Sequence, residues 1–142
     1  MTSILITGCA GFIGVNCANQ FAQLGWRVIV VDNLSRRGAD ANLEWLQGSN
    51  DISFEHVDIR DRQGVQQVLK ATRPNVLLLL AAQVVVTTSV TRPMEDFEIN
   101  AGGSLNLLDA VRIHSSETYF INASTNKVYG KMEDLDIVER NG

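Results

Sequence analysis

The sequence predicts a doubly wound α/β fold, and three observations carry that expectation. Short β-rich runs alternate with segments of helical periodicity along the chain. Two of the runs, 27–31 and 75–80, are almost continuously apolar, as strands buried on both faces are. Three glycines stand at the junction between the first strand and the first helix. Right-handed crossovers through such a β-α-β-α-β-α-β-α-β series give a parallel sheet of strand order 3-2-1-4-5.

Each element has its own local signal. Ser3-Ile4-Leu5-Ile6-Thr7 reads as the first strand. Residues 11–24 follow as a helix with an apolar stripe of Phe12, Val15, Cys17, Ala18, Phe21 and Ala22, stopped by Gly25. Residues 27–31 form the second strand, 39–46 a short helix, and the alternating run 52–57 the third strand. Asp61 caps a helix over 61–72 that Pro74 closes, and 75–80 is the fourth strand. Pro93 opens a helix that runs through Phe97, Ala101, Leu105, Leu108 and Val111 to about residue 113. Residues 118–121 are the fifth strand. Trp26 and Trp45 read as packing residues, and the isolated His56 and His114 as structural or solvated ones. The domain is expected over 1–130, with a polar tail over 131–142.

Bulk properties narrow the function. The 142 residues suit one domain, and 45% hydrophobic residues can furnish its core. A formal net charge of −4, with Arg36-Arg37 as the longest basic run, speaks against nucleic acid and anionic membranes as partners. The longest apolar stretch, 76–82, is too short to span a bilayer, and no signal peptide is evident, so a cytoplasmic protein is expected. Cys9 and Cys17 form neither a disulfide framework nor a metal spacing, so no metal site is expected.

Gly8-Cys9-Ala10-Gly11-Phe12-Ile13-Gly14 carries the chemistry. The first glycine permits the tight turn, the second lets a pyrophosphate approach the backbone, and the third lets helix and strand pack closely. Phosphates then lie at the helix N-terminus, against free amides and the positive end of the helix dipole. Asp32, ending the second strand, is placed to accept hydrogen bonds from the adenosine ribose and to repel a 2′-phosphate, which selects NAD over NADP. Arg36 and Arg37 are the counterweight, because an arginine there could bind that phosphate. Asp58 could bond an adenine amino group, with Ile59 covering a ring face; a turn or capping aspartate explains Asp58 equally well. Ala81, Ala82 and Gln83 end the fourth strand with small residues that leave room for a dinucleotide. In Ser124-Thr125-Asn126-Lys127, after the fifth strand, a hydroxyl could bond a sugar and help move its proton, or simply make a turn.

Taken with Asp32-Asn33-Leu34-Ser35-Arg36, Gly38-Ala39, Asp58-Ile59-Arg60, Thr87-Thr88-Ser89, Asp96-Phe97-Glu98-Ile99-Asn100 and Ser124 through Gly130, these motifs resemble the extended short-chain dehydrogenase/reductase family of nucleotide-sugar epimerases and dehydratases. The resemblance is strongest to its 2-epimerases of CDP-linked sugars. It implies a Rossmann-like domain in which NAD oxidises a sugar carbon and returns the hydride to the opposite face. It assigns Gly8, Gly11, Phe12, Ile13, Gly14, Asp32, Asn33, Ser35, Asp58, Ile59, Ala81, Ala82, Gln83, Asn100 and Ser124 to the cofactor and Thr125 to catalysis. It implies a nucleotide sugar as substrate and a homodimer through the 93–113 helix. Dehydratases of the family place Asp-Glu after the catalytic threonine, where this chain has Asn126-Lys127. The family's Tyr-x-x-x-Lys base does not occur: Ala123 and Glu133 stand four residues after Tyr119 and Tyr129. Relatives commonly carry His where this chain has Leu79, and Ser at Ala123. The expectation is therefore a cofactor-binding part without its C-terminal substrate lobe, inactive by itself. A non-catalytic NAD-binding module, or part of a 4-epimerase or 4,6-dehydratase, is the alternative.

Overall fold

The computed structural model describes residues 1–125. The expected tail over 131–142, Tyr129 and Asn126-Lys127 lie outside the described residues. Five parallel strands, β1 (Ser3–Thr7), β2 (Arg27–Asp32), β3 (Ser53–His56), β4 (Val76–Leu79) and β5 (Tyr119–Asn122), form one sheet of order β3-β2-β1-β4-β5. This is the predicted order.

Alternation along the strands divides the core into two layers. Ile4, Ile6, Val28 and Val30 face α1 (Phe12–Gln23) and α2 (Ala39–Ser49), meeting Val15, Ala18, Leu43 and Leu46. Leu5, Ile29, Val31, Leu77 and Leu79 face the opposite way, against Val65, Val68 and Leu69 of α3 (Arg62–Thr72) and Leu107, Ala110 and Val111 of α6 (Gly103–His114). β1 is buried along its whole length because both neighbours and both layers cover it. Asp61 caps α3 as expected, accepting from the backbone N–H groups of Gln63 and Gly64.

The connection after β4 departs from the sequence reading. α4 (Val86–Thr91) precedes α5 (Pro93–Phe97), and a π turn over Glu98–Gly102 joins α5 to α6. The apolar residues of this segment also divide between two faces. Gly103, Leu107, Ala110 and Val111 are buried, whereas Phe97, Leu105 and Leu108 are exposed. Phe12 does not belong to the buried stripe of α1: it is 84% exposed, opening the helix after the turn that follows the carboxyl end of β1. Trp45 is exposed as well, on the outer side of α2, while Trp26 packs on Phe21 with ring centroids 4.9 Å apart.

Thr7, fully buried, ties β1 to β4. Its Oγ1 accepts from the backbone N–H of Leu80 and of Ala81, each at 3.3 Å. Thr7→Val keeps the shape of the side chain and strands the Ala81 amide. A loss of about 1–3 kcal/mol in urea-unfolding stability is expected, the cost of a buried unsatisfied donor. An unchanged unfolding midpoint would show that the bond contributes nothing.

Candidate functional site

The carboxyl ends of the strands converge where the chain order reverses, at β1 between β2 and β4. Ligands of open α/β sheets bind in the crevice at this switch point. The glycine turn fills its floor. Gly8 has φ +68°, and a Cβ there would stand 2.7 Å from Ala81 N and 2.8 Å from Ala81 Cα. Gly14, in the first turn of α1, lies so close to the turn that a Cβ would come within 2.6 Å of Cys9 Cα. These two glycines are required by the chain's own backbone.

Gly11 is different. A Cβ there would meet one atom only, Gly8 O at 3.3 Å, a tight contact that asks the backbone to give by a few tenths of an ångström, far less than at Gly8 or Gly14. It is the half-buried N-cap of α1, where no side chain caps the helix. The amides of Phe12, Ile13 and Gly14 have no hydrogen-bond acceptor among the described residues. An open surface beside three unpaired amides, with no acidic residue in the first helical turn, fits an anionic phosphate.

Asp32 ends β2 beside this cradle. Its Oδ2 accepts from Ala10 N–H at 2.9 Å and its Oδ1 from Leu34 N–H at 2.8 Å. The carboxylate therefore braces the glycine turn as well as presenting its remaining lone pairs to a ligand. Leu34 has φ +53°, a strained value for leucine that the Asp32 bond holds in place. Asn33 continues the brace: its Oδ1 accepts from Ser35 N–H at 3.1 Å, and its Nδ2 donates to Asp58 Oδ2 at 2.7 Å.

Asp58 proves to be a turn aspartate with a further role. Its Oδ1 accepts from Arg60 N–H at 2.9 Å, and the Arg60 side chain holds both carboxylate oxygens, at 3.0 and 2.7 Å. The Arg60 guanidinium holds this carboxyl well below the usual range, at about 2. Ile59 is 5% exposed and packs against Gly103, so the cover it was expected to give a base ring reduces to that remaining edge. Cys9, inside the glycine turn, is buried; burial and then the charge of Asp32 push its thiol up to about 12, which leaves it protonated and inert at neutral pH.

On the other side of the crevice, Asn100 organises the loop after β4. Its Oδ1 accepts from Gln83 N–H at 2.9 Å, and its Nδ2 donates to Gln83 O at 3.0 Å and Asp96 Oδ1 at 3.2 Å. Asp96 is held in turn by Ser89 Oγ at 2.7 Å. Asn100 sits in the π turn, a local helix widening often found at functional sites. Ser124 and Thr125 follow β5 at the same end of the sheet, both exposed.

The residues missed by sequence reasoning are those that hold others. Asn42 Nδ2 donates to Ala10 O at 2.8 Å, locking α2 to the glycine turn. Thr7, Ser89 and Asp96 act in the same way. For Thr7 the available signal was a polar residue ending an otherwise apolar strand; the mixed composition of α2, α4 and α5 offered none for Asn42, Ser89 and Asp96. Among the described residues, no group of three or more His, Cys, Asp or Glu could hold a metal ion, and no helix is long and apolar enough to cross a membrane.

An uncapped helix N-terminus behind a glycine turn, flanked by an acidic strand end at the switch point of a parallel sheet, defines a dinucleotide-binding α/β protein. The family model described as GDP-mannose 4,6 dehydratase matches residues 5–141, and the chain belongs to that family. It is 48% identical over 130 residues to CDP-paratose 2-epimerase of Salmonella typhi, covering 92% of this chain and 38% of that protein. It is 32% identical to UDP-glucose 4-epimerase 1 of Oryza sativa subsp. japonica, covering 98% and 40%. Among solved structures it is similar to the UDP-Glc/GlcNAc 4-epimerase of Campylobacter jejuni, with TM-score 0.85 and 29% identity over 92% of this chain and 39% of that one. It is also similar to the UDP-glucose 4-epimerase of Bifidobacterium longum in complex with NAD+ and UDP, with TM-score 0.84 and 28% identity over 97% and 41%. The chain thus spans about two fifths of the length of these relatives.

The three glycines should separate under substitution. Gly14→Ala forces backbone against backbone and is expected to lose several kcal/mol or fail to fold, in the range of severe overpacking at about 3 kcal/mol or more. Gly11→Ala is expected to cost under about 1 kcal/mol in urea unfolding, a small N-cap penalty, while closing the cradle. Equal destabilisation by the two would refute the division of roles. Asp58 has a lowered folded-state pKa, so its contribution is fully present above the unfolded value of about 4 and is lost as pH falls towards 2. Asp58→Asn should flatten the stability–pH curve between these limits in acid titrations followed by circular dichroism. A variant curve parallel to the wild type across that window would rule out the linkage.

Proposed function

We propose that this chain is the cofactor-binding part of a nucleotide-sugar epimerase and that the cofactor it holds is NAD. The observation that carries the reading is the Gly11 cradle: three unpaired amides at an uncapped helix N-terminus, beside a glycine whose Cβ would meet a single atom. Gly8, Gly14, Phe12 and Ile13 supply its backbone. Asp32 and Asn33 stand at the adenosine-ribose side with Ser35, and Asp58 and Ile59 beyond them at the base. Ala81, Ala82, Gln83 and Asn100 border the nicotinamide half, with Ser124 and Thr125 next to it. When bound, NAD accepts a hydride from a sugar carbon and returns it; Thr125 is the residue of this chain assigned to the sugar hydroxyl.

The substrate class proposed is a CDP-linked sugar, with inversion at the sugar C2. Its support is the 48% identity to CDP-paratose 2-epimerase, against 32% to a UDP-glucose 4-epimerase. No Tyr-x-x-x-Lys pair occurs in the 142 residues, so the reading includes no turnover by this chain alone. The exposed Met94, Phe97, Leu105 and Leu108 on the α5–α6 segment are the proposed self-association surface.

Calorimetric titration with NAD and NADP tests the cofactor assignment. Saturable NAD binding is expected, with NADP at least about tenfold weaker (~1.4 kcal/mol) because a 2′-phosphate would approach the Asp32 carboxylate. Asp32→Ala should weaken NAD and erase the discrimination. A folded chain that binds neither dinucleotide would overturn the reading.

A further inference from the structure

Among the described residues, Arg36 is a charged side chain that crosses the crevice. It belongs to the loop after β2, yet its Nη2 donates to Ala82 O at 3.3 Å and to Gln83 Oε1 at 3.1 Å, in the loop after β4. β2 and β4 are the two neighbours of β1, so this contact passes over the carboxyl end of β1, where the glycine turn leads into α1. The sequence reading weighed Arg36 as a partner for a 2′-phosphate; the structure instead draws it across to the β4 side.

The guanidinium is poorly matched to its present partners. It carries five N–H donors, and both its bonds come from Nη2 to uncharged oxygens, leaving the Nε and Nη1 donors without a partner among the described residues. No carboxylate among the described residues lies within ion-pair distance of it. The loop that carries it is braced by Asp32 on Leu34 N–H and Asn33 on Ser35 N–H, so the arginine is presented from a fixed base. A planar fork with unpaired donors, on a side chain that reaches from the loop after β2 to the loop after β4, is suited to a diphosphate.

We propose that Arg36 is a diphosphate-binding strap: it ties the two lips of the crevice together in the free chain and turns onto the pyrophosphate of the dinucleotide when the crevice fills. This inference rests on the cofactor reading above and adds to it the residue that supplies the countercharge. Bound dinucleotide would then be held from below by the α1 amides and from above by Arg36. Release would require the guanidinium to return to Ala82 and Gln83.

The test compares the wild type, Arg36→Ala and Arg36→Lys in titrations with NAD, ADP-ribose, inorganic pyrophosphate and adenosine. Arg36→Ala should weaken NAD, ADP-ribose and pyrophosphate about tenfold, the scale of one exposed hydrogen bond to a charged group, and leave adenosine unchanged. Arg36→Lys should recover part of the loss, and the salt dependence of NAD binding should be shallower in Arg36→Ala than in the wild type. Because Arg36 is exposed, the urea midpoint should not move, which separates lost affinity from lost fold. If wild type and Arg36→Ala bind NAD and pyrophosphate equally, the strap is refuted while the cofactor reading stands. Loss of adenosine binding in step with NAD would also refute it, by showing a general disturbance of the loop. A wild type that binds none of the four ligands overturns the cofactor reading and the strap together.

Discussion

The close approach of α1 to the turn after β1 is the constraint on which the remainder depends. Gly14 lets the helix lie against the backbone of Cys9, and Gly8 lets the turn lie against the backbone of Ala81. The first contact fixes where the free amides of α1 point. The second fixes the distance between the turn and the β4 loop. Two missing side chains thus set both walls of the crevice, and the side-chain bonds of Thr7, Asp32 and Asn42 hold that arrangement from the strand, the neighbouring strand and the neighbouring helix. The packing is backbone on backbone, so it tolerates little adjustment.

The electrostatics of the site are local rather than global. The chain is acidic, yet the crevice floor is built from N–H groups. The two carboxylates nearest to it are both engaged: Asp32 by Ala10 and Leu34 amides, Asp58 by Arg60 and Asn33. Their charge is thereby spread into the surrounding donors. An anion can approach the α1 amides while a carboxylate close by still marks the ribose side.

Much of this was legible in the sequence. Strand order followed from alternation and handedness, and the strands fell within a residue or two of their expected bounds because continuous apolar runs admit few alternatives. α4 was not legible, because Val86-Thr87-Thr88-Ser89-Val90-Thr91 is dominated by β-branched residues of low helix propensity. Its side-chain bond to the following helix, Ser89 to Asp96, comes from beyond the element itself. Phe12 and Trp45 were read as packing residues from their type alone, although their positions turn them to solvent. Within the site, residues that present a group to a ligand were recognisable by type and spacing. Those that position them were not, since Asn42 and Thr7 find their partners 32 and 74 positions away.

The π turn between α5 and α6 has a consequence for the surface of this segment. Each residue of a regular helix advances the side-chain direction by about 100°, so a wider turn resets the phase of everything after it. Met94 and Phe97 before Glu98 and Leu105 and Leu108 after Gly102 are all exposed. Asn100 is turned inward to the β4 loop by the same step. The π turn therefore stands where two sides of one helical run meet: exposed apolar side chains flank it, while Asn100 within it bonds the loop that borders the crevice.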